Sequence, residues 1–298
     1  MSTASHQLRE PIVAPSEVRE ITDGVWVIPD SDHTLFVPNI GIIVGSRATL
    51  VIDTGFGPDN ARTVLEQARR LSDQRPIFLT HTHFHPEHGF GANVVAGEVT
   101  IVYNETQWNE LQEKGSTVLR MFRNMMPPLA PMLDGVEFVR PHILYTGSLS
   151  LDLGDGRVVE FLEFGGAHSR GDQALLIRAS KSVLFTGDLI EERYFGVLAD
   201  NESHVVPWIQ RLKEFERLNP ELVVPGHGFI GGPELITNYR AYFELAQRRV
   251  HELRSAAELS ETEIVDRVSS ELLALHPDWE NQTWARKTVA DLSWPSRR

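Results

Sequence analysis

Four histidines and one glutamate fall within the eight residues His81-Thr82-His83-Phe84-His85-Pro86-Glu87-His88 of a chain that holds 12 histidines. On extended backbone, residues two apart project to the same side, so His83 and His85 can reach one ion from a loop. A helix would turn the pair apart, and Pro86 argues against helix here. Neutral imidazole is the commonest ligand for a metal bound through nitrogen and oxygen. Three further segments set a ligand-type residue just after a run of strand-forming residues: Gly166-Ala167-His168-Ser169-Arg170-Gly171-Asp172, Phe185-Thr186-Gly187-Asp188 and Val224-Pro225-Gly226-His227-Gly228. Asp53, in Val51-Ile52-Asp53-Thr54-Gly55, makes another. The chain has no cysteine, which excludes a thiolate nucleophile, a disulfide framework and any Cys-ligated metal. The available donors suit zinc, with manganese or iron also compatible. A His-rich surface loop is the plain alternative for residues 81–88, and the other segments argue against it.

Loops that share one ion need a frame that gathers them. With 298 residues, 41% hydrophobic and 23% charged, the composition is that of a globular protein of one large or two average domains. Residues 1–20 are polar, carry Pro11 and Pro15, and read as a flexible N-terminal arm. From Gly24, short β-branched runs broken by turn residues predict a strand meander. Pro58 and Asp59 open a helix with Val64, Leu65, Ala68 and Leu71 at helical spacing. A buried strand, residues 76–80, stops at the histidines, and a helical insertion is expected over about 104–142. A second strand group precedes a helix over 206–217, and a helical extension occupies 233–298. Two βα-rich halves forming one layered α/β domain over 21–232 fit this order. Ligands beside strand ends can converge at one edge of such a sheet.

In order and spacing these segments resemble the metallo-β-lactamase superfamily. Thr82-His83-Phe84-His85-Pro86-Glu87-His88 is similar to its THxHxDH motif, with Glu where Asp is usual. The resemblance, over about residues 20–230, implies an αββα sandwich with two divalent metal ions, zinc first, at one edge. It implies that His83, His85 and His168 hold one ion, that Glu87, His88 and His227 hold the other, and that Asp188 bridges. Asp53 would orient a ligand from behind, and His81, outside the motif, would be a supporting residue.

The reaction so implied is hydrolysis by a metal-bridging hydroxide, with Asp188 and Glu87 as catalytic carboxylates. The expected substrate is a small, partly apolar molecule with an acyl bond: lactone or other ester, thioester or β-lactam. A phosphodiesterase, an iron-dependent sulfur dioxygenase on the same fold, and a catalytically silent binding protein are the rival readings. Six of seven ligand positions carry the usual residue type, which disfavours the silent reading. Lys and Arg number 28 against 41 Asp and Glu, a net charge of −13 that disfavours nucleic acid and anionic membrane. No secretory signal or membrane-length apolar run is visible, so a cytoplasmic location is expected, with a homodimer possible.

Three further residues are substrate-contact candidates. Asn39 starts a strand near the expected site edge, with a turn-forming role as the alternative. Tyr194 could donate to a developing oxyanion, or simply pack. His204 could reach the cleft, or begin a helix in solvent. The Met-rich stretch 117–133 reads as an adaptable apolar wall or as helix core.

Overall fold

A computed structural model of the chain describes residues 9–199 and 201–293. Alternation along the strands builds four layers. In the first sheet, strands β1 (Arg19–Thr22), β2 (Val25–Ile28), β3 (Ile40–Val44), β4 (Thr49–Ile52), β5 (Ile77–Thr80), β6 (Thr100–Asn104) and β7 (Ile143–Tyr145) lie side by side in chain order. Neighbours are antiparallel up to β4 and parallel from there on. The second sheet runs β12 (Leu222–His227), β11 (Val183–Glu191), β10 (Gln173–Arg178), β9 (Arg157–Glu163), β8 (Ser148–Gly154).

Val25, Ile43, Leu50 and Ile52 of the first sheet meet Phe161, Leu175, Ile177, Val183 and Phe185 of the second in the central core. Their alternates face outward. Ile42, Val51 and Leu79 pack under α1 (Pro58–Ser72) and α3 (Glu105–Met125), and Ala174, Leu176 and Leu184 pack under α4 (Val205–Leu218) and α5 (Glu234–Ala256). Helices α6 (Glu261–Leu275) and α7 (Thr283–Ser293) complete that outer layer. Two-residue alternation thus gives each buried strand two apolar faces, and the sandwich follows.

Local signals set the helix ends. Pro58 occupies the first turn of α1, where its missing N–H costs nothing. Asn104 caps α3 by accepting from the Gln107 amide at 2.6 Å, and Ser260 with Glu263 forms a capping box on α6. Among the described residues no helix is long and apolar enough to cross a membrane.

Three expectations need correction. Pro86 does not exclude helix: it stands at the first position of a one-turn helix, α2 (Pro86–Gly89), which carries Glu87 and His88. His83 and His85 precede it. The N-terminal arm is not loose throughout. Residues 1–8 lie outside the described residues, but Val13 is buried and its amide donates to Asn60 Oδ1, while Asn60 Nδ2 donates to the Pro11 carbonyl. Asp188 lies inside β11 rather than after it. The pairing of β11 with β12 shifts register on either side of Gly187, an irregularity of the kind that re-aims side chains. Gly187 has φ +51° there, and a Cβ would stand 2.5 Å from that of Thr82. The short strand β7 was not visible in the sequence.

Candidate metal centre

The ligand-type residues converge in two groups that share one carboxylate. In the first group His168 Nε2 lies 3.2 Å from His83 Nε2 and 3.0 Å from His85 Nδ1. Asp188 Oδ2 faces this group, 3.7 Å from both His83 Nε2 and His168 Nε2. The other carboxylate oxygen, Asp188 Oδ1, faces the second group: His88 Nε2 at 3.2 Å and His227 Nε2 at 3.6 Å. Glu87 completes that group, with the donor atoms of Glu87, His88, Asp188 and His227 all within 4.8 Å of one another. All seven side chains are buried or nearly so.

Two tests of fit to a metal come from this geometry. Nitrogens about 2.0–2.1 Å from a tetrahedral zinc stand about 3.3 Å apart, close to the spacing of the three imidazoles. Moreover, Glu87 Oε2 is buried without a hydrogen-bond partner among the described residues, and His88 Nε2 and Asp188 Oδ1, 3.2 Å apart, face each other without hydrogen-bond geometry. Such atoms are costly to bury unless something else satisfies them.

The protein sets the direction of three of the rings. His88 Nδ1 bonds Asp53 Oδ2 at 2.9 Å, which leaves Nε2 aimed at the second group. Asp53 Oδ1 also accepts from the Thr82 amide at 2.7 Å, holding the start of the histidine loop. His168 Nδ1 donates to the Val197 carbonyl and His227 Nδ1 to the Val37 carbonyl, so each keeps Nε2 for the centre.

The charged groups of the cluster shift one another. Burial alone would lower the His88 pKa, but Asp188 and Asp53 together hold it well above the ordinary value. Burial opposes the charged form of Asp188, yet His88, His227 and His83 pull its carboxyl well below the ordinary range. Burial, with the like charge of Asp188, raises Glu87.

The supporting candidates separate. His81 is buried behind Asp53, its Nδ1 3.9 Å from Asp53 Oδ1, and burial drives its pKa down to about 4. Its carbonyl accepts from the Gln107 and Gln173 amides. The Asn39 side chain is engaged within the protein: its Nδ2 donates to the Pro225 and Gly228 carbonyls and its Oδ1 accepts from the Asp30 amide. It fastens both ends of the turn that presents His227. Tyr194 is buried, tilted against the His227 ring at 5.9 Å, and its hydroxyl has no partner among the described residues. His204 turns away to Asp291 at 2.9 Å, because the start of α4 packs on α7.

Asp172, Glu110 and Asn104, which hold the His168 loop, and Gln107, which holds the His81 carbonyl, carry no role in the sequence reading. Asp172 accepts from the His168 and Ser169 amides, Glu110 from Gly171, and Asn104 donates to the Gly171 carbonyl. Asp172, four residues beyond His168, was the one local signal. Glu110 and Gln107 had none, since α3 meets this loop only in the folded chain.

The sequence model of the metallo-beta-lactamase superfamily matches residues 33–227, a span that contains every residue of both groups. The chain belongs to this superfamily. Among superfamily relatives, the acyl-coenzyme A thioesterase MBLAC2 of Gallus gallus is 30% identical over 230 residues, covering 67% of this chain and 77% of its own length. A linear primary-alkylsulfatase of Pseudomonas sp. is 24% identical over 217 residues, 63% of this chain but only 40% of that protein. Two solved structures share the fold. A metallo-beta-lactamase from Pontibacter korlensis has a TM-score of 0.60 at 19% identity, covering 76% of this chain and 97% of its own. A stereoselective inverting sec-alkylsulfatase from Pseudomonas sp. has a TM-score of 0.71 at 17% identity, covering 94% of this chain and 50% of its own.

Proposed function

We propose that this protein is a dinuclear, zinc-dependent hydrolase that cleaves an acyl bond, a thioester or ester, in a small molecule with an apolar chain. The carrying observation is Asp188, whose two carboxylate oxygens each face a separate group of ligand-type side chains. His83, His85 and His168 would hold one ion, Glu87, His88 and His227 the other, and Asp188 both. Two divalent ions, when bound, supply a nucleophilic water at neutral pH and polarise the bond under attack. Asp53 keeps His88 in the tautomer its role requires. Asp188, reaching both groups, is placed to take a proton from the attacking water and return it to the leaving atom.

Support for an apolar substrate comes from the rim. Phe229, two residues past His227, is 47% exposed, and Leu35, two before the carbonyl that holds His227, is 39% exposed. Met121 and Met125 are exposed on the end of α3, where Phe122 packs on Phe36 at 5.5 Å. This places the Met-rich stretch beside the loop that supports His227, and Met adapts to varied apolar ligands. The thioesterase relative favours a thioester first. The alkylsulfatase relative favours a second reading, an alkyl sulfate, which would use the same rim.

Purified protein should contain about two zinc ions per chain by mass spectrometry. It should turn over an acyl thioester or ester faster than a β-lactam or phosphodiester. Iron with oxygen uptake would point to the dioxygenase instead, and no turnover with any of these or with alkyl sulfates would leave the silent binding protein.

Glu87 is the departure from the usual motif, and its carboxylate reaches the second group despite the added methylene. Glu87→Gln keeps the size and removes the charge. We expect turnover and affinity for the second ion each to fall about tenfold or more, with Glu87→Asp milder. Metal content after dialysis and kcat measure this. Two tightly held ions at full turnover in the Gln variant would remove Glu87 from the ligand set.

A further inference from the structure

We infer that Asp291, on the last helix of the chain, is a positioning residue for His168. The inference rests on reading His168 as a metal ligand. Val197 and Ser203 grip His168 at two points: the Val197 carbonyl accepts from the ring Nδ1 at 3.0 Å, and Ser203 Oγ donates to the His168 carbonyl at 2.6 Å. One residue on, the His204 amide donates to the carbonyl of Ala167, the residue before the ligand, at 3.2 Å. This grip is only as firm as the start of α4, and α4 does not cap itself. His204, its cap residue, makes no side-chain capping bond.

The cap comes from α7. Asp291 Oδ2 accepts from the Val205 amide at 2.9 Å, and Asp291 Oδ1 bonds His204 Nδ1 at 2.9 Å. A carboxylate there satisfies an otherwise orphaned amide and complements the positive end of the helix dipole. Asp291 thus fixes the backbone at the start of α4, where the His204 amide holds the Ala167 carbonyl and the adjacent Ser203 holds that of His168. The C-terminal extension therefore reaches the metal centre without supplying a ligand. Outer partners of this kind typically govern metal affinity by about 10–100-fold.

The test compares Asp291→Ala, Asp291→Asn, His204→Ala and a control, Leu272→Ala, in the full-length protein. Leu272 is a buried, apolar core residue on α6. Hydrogen exchange is followed at residues 166–172, first without metal and then with zinc alone. Asp291→Ala should speed exchange at 166–172 by about tenfold, leave 80–90 unchanged, and weaken one of two zinc ions by about 10–100-fold. Asp291→Asn, which keeps an oxygen for the Val205 amide, should largely restore both, and His204→Ala should show a smaller version of the loss. Leu272→Ala should lower the melting temperature without selective loosening of 166–172. The inference is overturned if Asp291→Ala lowers the melting temperature alone, or if Leu272→Ala loosens 166–172 equally. Should the wild type bind no zinc, the dinuclear reading falls, and metal-free exchange still decides whether Asp291 holds the loop.

Discussion

His168→Ala should abolish turnover, by on the order of 10³-fold or more, and strip one of two zinc ions while leaving the circular dichroism spectrum nearly unchanged. The large effect follows from position. His168 Nε2 stands 3.2 and 3.0 Å from the facing nitrogens of His83 and His85, so no neighbour can replace it without moving the loop. The small structural effect follows from how the loop is tied. Asp172 accepts from the backbone amides of His168 and Ser169, and Glu110 from that of Gly171, bonds that do not involve the imidazole. Zinc content, turnover and the spectrum, measured on one preparation, decide the matter. A variant that keeps both ions and full activity would show that His168 is not a ligand.

Truncation after Gly232 should remove both solubility and activity. Helices α5 to α7 cover the outer face of the second sheet and of α4. Trp208 packs on Phe243 at 5.0 Å and on Tyr239 at 6.2 Å, and Phe195 on Tyr242 at 5.6 Å. Exposing large apolar side chains costs about 1.5–3 kcal/mol each. Losing the cover of Trp208, Phe195, Ile209 and Leu212 alone thus rivals a typical total stability of about 5–15 kcal/mol. The cut also removes Tyr239, whose hydroxyl bonds the buried Glu191, and Glu280, which pairs by backbone with Phe195 and Arg193. Expression of the truncated chain with size-exclusion chromatography and an activity assay would test this. A soluble, fully active product would show the extension to be dispensable.

The layered fold was legible because its signals are local. Short β-branched runs between turn residues, Pro58 at a helix start, and the absence of cysteine each act within a few residues. The pairing of His83 with His85 was equally local, since it needs only extended backbone. Pro86 misled because the same ring that breaks a helix interior is favoured at its first position, and only position decides between the two.

The sequence by itself determined which side chains could bind a metal and which apolar faces had to be buried. Periodicity states that a face is buried, never against what. The tertiary structure decided the partners. It brought His168 to His83 across 85 residues, and Asn39 to the Gly228 carbonyl across 189. It divided the two oxygens of Asp188 between two groups, beside a register shift in β11 that no local pattern announces. It also sent His204 to Asp291 instead of the cleft, because α7 lies against the start of α4. Contacts between elements distant in sequence depend on how whole sheets and helices pack, and that packing is a property of the assembled core.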